Sequence, residues 1–331
     1  MHTSELTAGA AITDRELLEA IERDRKDLHA QCYRMLGSLH DAEDALQEAL
    51  LRAWRGLARF EGRSSLRTWL YTIATNACLT AIARRPARAL PIDYGPAADP
   101  HDPGSEPWIE PYPDHELGLG TGLTAPEAQY ERRESVELAF IAALQHLAPR
   151  PRAVLMLREV LGFSAREVAE ALDTTVASVN SSLQRARRPI EERMPPMSQQ
   201  ATLRALGDDR IRAVVEDYID ALERGDVGAV LAMLTEDATW SMPPLPEWYS
   251  GHDAISAFLE RGPMRRRWRH LATNANGQLA VGCYMWDDEV GTYAAHVIDV
   301  LTLRGDRIAG ITAFIDAELF AGFGLPAELP G

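Results

Sequence analysis

The sequence predicts a multidomain chain: two all-α helical domains, the second carrying a helix-turn-helix, and then a C-terminal α+β domain. Apolar residues recur at spacings of three and four over residues 14–85 and again over 134–197. An acidic stretch rich in proline and glycine, 86–133, separates these two segments. From 208 to 331 two helical patterns give way to alternating runs. At 331 residues, 46% hydrophobic and 25% charged, the chain is long enough for several cores, which excludes a small disulfide scaffold.

In the first segment Leu46, Ala49, Leu50, Ala53, Trp54 and Leu57 form one stripe. Trp54 is expected in the core, because an aromatic at helical spacing usually packs inward. The break FEGRSS follows, with Gly62 for a turn and serines for an N-cap, before a helix carrying Leu66, Leu70, Ile73 and Ala77. Nine prolines between Pro86 and Pro126 preclude helix or ladder there, so 86–133 reads as a linker. Its Trp108, Ile109 and Tyr112 are too apolar for a purely solvated strand of chain, and the WIEPYPD piece is expected to dock on another surface.

Helical periodicity returns at Val136, Phe140, Ala143, Leu144 and Leu147 and continues after Pro149 and Pro151. The string FSAREVAEALDTTVASVNSSLQRARR then predicts a helix capped at Ser164, a turn at 173–175 and a second helix from about Val176. After a polar joint, helices at 211–224 and 227–234 precede ATWSM, LAVGCYMW, YAAHVIDVLTLRG and DRIAGITAFID, which read as antiparallel strands.

The net charge of −15 argues against a general nucleic-acid coat, but its distribution is uneven. Residues 52–85 hold seven arginines and one acid, and 175–188 hold three arginines and no acid. By contrast 208–331 carries twenty acids against ten arginines. Arg265, Arg266, Arg267 and Arg269 are expected as a solvated rim. Cys32, Cys78 and Cys283 are too far apart for a thiol metal site and suit a reducing compartment. No cofactor or metal is expected. The chain opens without a basic start and apolar run, and no stretch approaches the roughly 18 apolar residues of a membrane span. A cytoplasmic protein with no membrane partner is expected.

On the second helix of the helix-turn-helix, Val176, Val179, Leu183 and Ala186 are expected to face inward. Ser178, Asn180, Ser181, Gln184, Arg185, Arg187 and Arg188 occupy the other face. Asn and Gln can pair with adenine edges, Arg with guanine or phosphate, and Ser with either, which is a major-groove reader's chemistry.

The string DAEDALQEALLRAWRGLARFEGRSSLRTWLYTIATNA closely resembles the second region of extracytoplasmic-function (ECF) sigma factors of the sigma-70 type, and the helix-turn-helix resembles their fourth. The resemblance implies a non-enzymatic subunit that binds RNA polymerase core and directs initiation at −10 and −35 promoter elements. It places Asp41, Asp44, Gln47, Glu48 and Trp54 on the helix that docks on the clamp of the largest polymerase subunit, with the acids exposed on one flank. Phe60, Gly62, Arg63, Ser64, Ser65 and Trp69 match the turn that captures an unstacked −10 base, an aromatic, hydroxyl and cation set suited to that task. Trp69 either makes that contact or packs between the two helices. Asn76 matches a base-edge position, and Arg84 and Arg85 match phosphate contacts. Thr80 stands where the family usually has Asp, and Asn180 and Ser182 where it often has a basic residue. VNSSLQRAR is similar to the subset of the family with an extra C-terminal domain.

That last domain resembles the SnoaL-like α+β cone, through DATWSMPP, GHDAISAFLERG and DRIAGITAFID. The resemblance implies a pocket, for which Trp240, Met242, Trp248, Tyr249, His296, Asp299 and Phe314 are candidates. Asp237, His296, Asp299 and Asp316 are the candidate acids and bases if the cone is an isomerase or hydrolase, or they belong to a ligand sensor. No assembled catalytic set is visible in their spacing, so the expected role of the cone is regulation in cis, with docking on the linker. A repressor acting without polymerase would need neither the DAEDALQEALLRAW helix nor the base-capturing turn.

Overall fold

The computed structural model describes residues 13–94, 107–117 and 127–331, so parts of the expected linker, 95–106 and 118–126, lie outside the described residues. Contacts divide the chain into two compact units, Met1–Arg85 with His146–Glu192, and Pro86–Gln145 with Arg193–Gly331. In chain order the first unit contains α1 (Asp14–Leu36), α2 (Leu39–Gly56) and α3 (Leu66–Ile82). The second then takes α4 (Glu127–Glu134) and α5 (Leu138–Gln145). The first resumes with α6 (Pro149–Leu155), α7 (Ala165–Ala171) and α8 (Val176–Arg193).

Local signals set these boundaries. Thr13 and Glu16 form a capping box at the start of α1, and Gly37, at φ 68°, ends it. Ser38 caps α2, and Ser65 caps α3 by accepting from the Thr68 N–H. Pro149 opens α6, where its missing N–H costs nothing. Ser164 and Glu167 form a second capping box on α7, and Asp173, at φ 47°, turns the chain toward α8. Leu28, Met35, Leu46, Leu70, Tyr71 and Ala74 are buried in the core around α1 to α3. Arg152 is buried too. Its Nη1 donates to the Met35 carbonyl at 2.6 Å and its Nη2 to the Leu147 carbonyl at 3.0 Å, so one guanidinium satisfies the last turn of α1 from α6.

The second unit continues with α9 (Gln199–Leu206), inside the stretch expected as a polar joint, then α10 (Asp208–Glu223) and α11 (Val227–Met233). Next come β1 (Leu234–Ser241), β2 (Trp248–Ser250), α12 (Gly251–Arg261), β3 (Trp268–Ala275), β4 (Gln278–Asp287), β5 (Thr292–Arg304), β6 (Arg307–Ile315), α13 (Leu319–Gly322) and β7 (Glu328–Leu329). The sheet runs β2-β1-β6-β5-β4-β3, with β7 on β5. It is mixed and not purely antiparallel as expected, because β1 pairs β6 in parallel. Tyr218, Trp240, Ile255, Val281, Leu301 and Ile311 lie in its core. Among the described residues no helix is long and apolar enough to cross a membrane.

The β3–β4 connection is a two-residue turn, Asn276 at φ 58° and Gly277 at φ 68°. Both central residues need left-handed backbone in a type I′ hairpin, which is why Asn-Gly stands there. This turn grips two earlier parts of the chain. The Asn276 N–H donates to the Tyr112 carbonyl, its Oδ1 accepts from the Tyr112 N–H, and its Nδ2 donates to the Val136 carbonyl, at 2.8, 2.8 and 2.7 Å. The Gly277 N–H donates to Asp114 Oδ1 at 2.7 Å, and Gln278 Oε1 accepts from the Leu138 N–H at 3.0 Å. Trp108, Ile109 and Tyr112 are buried, Tyr112 completely. This part of the linker is therefore packed structure, including a parallel bridge from Ala89 to Trp108.

Two acids sit in this junction. Burial pushes the Asp114 carboxyl up to about 6 and that of Glu137, which accepts from the Gln200 N–H, up to about 7. Groups raised in the fold bind protons more tightly there than in the unfolded chain. Their contribution is complete at acid pH, below the ordinary carboxylate range, and is lost as pH rises through about 6 and 7. Replacing them by Asn and Gln should remove roughly 4 kcal/mol of the stability lost between about pH 5 and 8. Urea unfolding of the full chain at both pH values measures this, and equal slopes for parent and variant would refute it.

Candidate nucleic-acid interface

The residues of α2 expected to dock are presented unevenly. Asp44, Gln47 and Glu48 are exposed, and Glu48 pairs with Arg52 at 2.7 Å. Asp41 is buried instead, because it sits in the first turn of α2 and forms an ion pair with Arg85. Its expected exposure is corrected. Trp54 is likewise not in the core. It is 49% exposed, and Leu51, one turn before it, is 51% exposed. Two large apolar side chains thus stand open beside three polar ones on a single helix.

The turn after α2 brings Phe60 and Trp69 together, with ring centroids 5.0 Å apart. Gly62, at φ 67°, makes the reversal that allows this. Both rings and Arg63, Ser64 and Thr68 line a cleft of about 730 Å³, whose opposite side is formed by Arg166, Glu167 and Glu170 of α7. Thr68 Oγ1 donates to Glu167 Oε1 at 3.4 Å, and Asn76 Nδ2 to the Ala171 carbonyl at 3.5 Å. Trp69 is half-buried and lines the cleft, so it packs and faces a ligand space at once. Ser65 is occupied as the cap of α3. Arg63 lies 3.2 Å from Glu61, and Arg84 is exposed.

On α8 Ser178, Asn180, Ser181, Gln184, Arg185, Arg187 and Arg188 are all exposed, while Val179, Leu183 and Ala186 are buried. Val176 is 44% exposed rather than inward, because it begins the helix where no second turn covers it. Arg187 pairs with Glu159 and Arg188 with Glu192. These surface pairs cost little to exchange for phosphate.

The α+β domain encloses a separate cavity of about 340 Å³. Trp240, Met242, His296 and Asp299 line it, whereas Trp248, Tyr249 and Phe314 do not. Tyr249 instead stacks on Phe258 at 4.5 Å, and Trp248 pairs with Ser241 on the edge strand. His296 is the extra residue of a bulge in β5, since Cys283 opposes Val297 and Tyr284 opposes Ala295. Asp299 accepts from the Tyr218 hydroxyl at 2.9 Å and from Cys283 Sγ at 3.5 Å, and burial pushes its carboxyl up to about 6. Of the other suggested acids, Asp237 is held by Arg304 on the surface, and Asp316 accepts from the Glu318 N–H. Sequence reasoning missed His270 and Trp268 of the cavity wall, along with the Asn276 turn. The Asn-Gly pair was the available signal for the last of these.

Family models match in three places: Sigma-70 region 2 over residues 20–88, Sigma-70 region 4 over 137–189, and a SnoaL-like domain over 215–311. The ECF RNA polymerase sigma factor SigG of Mycobacterium tuberculosis is 43% identical over 318 residues, covering 92% of this chain and 82% of its own. The RNA polymerase sigma-H factor of Pseudomonas aeruginosa is 32% identical over 57% of this chain and 97% of its own. Among solved structures, the extracytoplasmic function sigma factor SigJ of Mycobacterium tuberculosis shares the fold. Its TM-score is 0.59 at 22% identity, over 94% of this chain and 99% of that one.

Proposed function

The chain belongs to the ECF sigma factors, subunits that bind RNA polymerase core and direct promoter-specific initiation, and from that membership we propose that its SnoaL-like domain regulates initiation in cis. The observation that carries this reading is the grip of the Asn276–Gly277–Gln278 turn on Tyr112, Asp114, Val136 and Leu138. These residues lead directly into α5, at the start of the region 4 match. The cone thereby holds the segment that leads into the region 4 match. Leu51, Trp54, Asp44, Gln47 and Glu48 meet the polymerase clamp. Phe60, Trp69, Arg63 and Ser64 take the −10 base, Asn76, Arg84 and Arg85 follow the strand, and the open face of α8 reads the −35 groove. The protein works in the cytoplasm with the polymerase. The cone's role in this reading is regulatory rather than catalytic, although His296 and Asp299 line one cavity. Asp299 is engaged by Tyr218 and Cys283, and among the described residues no bond joins it to His296.

Asn276→Gly tests the reading in the full chain, because it keeps the left-handed turn and removes the side chain's bonds to Tyr112 and Val136. Losing a bond to a buried backbone group costs about 1–3 kcal/mol. In run-off transcription with RNA polymerase core, initiation by the variant should differ from the parent at least about fivefold, the equivalent of roughly 1 kcal/mol. Equal initiation by a folded N276G chain sinks cis regulation. Cutting the chain after Met197 is a poorer test, because it uncovers Tyr112.

A further inference from the structure

The cavity in the α+β domain has walls of one character and a rim of another. Leu222, Trp240, Met242, Phe258, Met285 and Ile315 make its interior apolar. Two of the polar groups inside, Asp299 and His270, are already engaged. Asp299 serves Tyr218 and Cys283, and His270 lies 3.4 Å from Glu223 through Nδ1. Burial holds the His270 ring well below its ordinary range, at about 4 despite Glu223, so it stays neutral. Burial and Arg266 push His296 in the same direction.

The rim supplies the charge. Four arginines follow one another closely in sequence, only Arg266 of them lines the cavity, and the other three have partners. Arg265 Nε donates to the Glu260 carbonyl at 2.9 Å, Arg267 stacks on Trp286 at 4.2 Å, and Arg269 pairs with Glu223 at 3.3 Å. Arg266 is exposed, lines the cavity, and pairs with no acid among the described residues. The expected uniform solvated rim is thus three engaged guanidiniums and one that is open. Trp268 stands beneath it, 5.8 Å from the His296 ring and 6.3 Å from that of His270.

An apolar chamber with one uncompensated cation at its mouth complements a molecule with an apolar body and a single anionic end. The volume is that of pockets which take small organic ligands. We propose that the cone binds a small apolar monocarboxylate, its aromatic or hydrocarbon body among Trp240, Phe258 and Trp268 and its carboxylate on Arg266 beside His296. A guanidinium meets a carboxylate through two parallel N–H donors, so this end fixes the ligand's orientation while the walls supply affinity. The bulge in β5 falls at His296, which lines the same cavity as Arg266.

Calorimetric titration of the full chain with 1-naphthylacetate and with its neutral analogue 1-naphthylacetamide tests the site. Naphthylacetate should bind at least about tenfold tighter than the amide, a factor of ten being 1.4 kcal/mol. Arg266→Gln should abolish that preference and keep amide binding. Arg265→Gln should leave the preference intact. Arg266 is exposed, so its substitution leaves the core untouched. Absence of binding by both probes, equal binding, or a preference surviving in R266Q overturns the proposal. The titration uses no polymerase, so its failure and a failure of cis regulation are separate results.

Discussion

A chain carrying Leu51→Ala and Trp54→Ala should lose at least about 30-fold in affinity for RNA polymerase core, or roughly 2 kcal/mol, and keep its fold. Both side chains are about half exposed, so neither contributes much to the packing of α2 on α1 and α3. Surface substitutions of that kind usually change stability by less than about 0.5 kcal/mol. On binding the account reverses. Large aromatics are enriched among interface anchors, and Asp44, Gln47 and Glu48 stand exposed on the turns of α2 before Trp54. Competition against the unaltered chain for core polymerase, with a thermal melt as control, measures the effect. Undiminished binding by a folded double variant would mean that the clamp uses another face.

Tyr112→Ala should cost the second unit about 3–5 kcal/mol, as truncation of a fully buried aromatic does. The side chain has no exposure, and its backbone N–H and carbonyl are both paired with Asn276. Urea unfolding of the full chain should show a transition displaced by that amount, whereas Leu51→Ala with Trp54→Ala leaves it in place. If Tyr112→Ala unfolds like the parent, the packed linker does not exist in solution.

The helix-turn-helix and its caps were legible because their causes are local. Ser164 and Glu167 are three residues apart, and the Asp173 turn follows within the same short string. Periodicity also located Val179, Leu183 and Ala186 correctly. It misplaced Val176 and Trp54 for one reason: a stripe tells which residues share a face, not what covers each point along it. Asp41 escaped because its partner, Arg85, lies beyond the whole of the next helix. The docking of WIEPYPD could be suspected from its aromatics, but its receiver is a turn more than 160 residues later, bonded mainly through backbone groups that any sequence carries. The parallel pairing of β1 with β6 is hidden in the same way. In the cavity, Trp240, His296 and Asp299 were recognisable from their residue types. Which of four neighbouring arginines stays open is decided by Glu260, Trp286 and Glu223, and no spacing rule reveals that.

The Asn276 turn and the segment it holds are parts of one polypeptide. A controller supplied as a second protein is diluted by cell growth and must be made in matching amounts, so its grip varies with the expression of both genes. With the cone as that controller, as proposed, the ratio is fixed at one to one by translation, and the local concentration of each partner around the other is set by the tether instead of by copy number. Under that proposal, overproducing this chain raises the number of regulated molecules without outrunning their regulator.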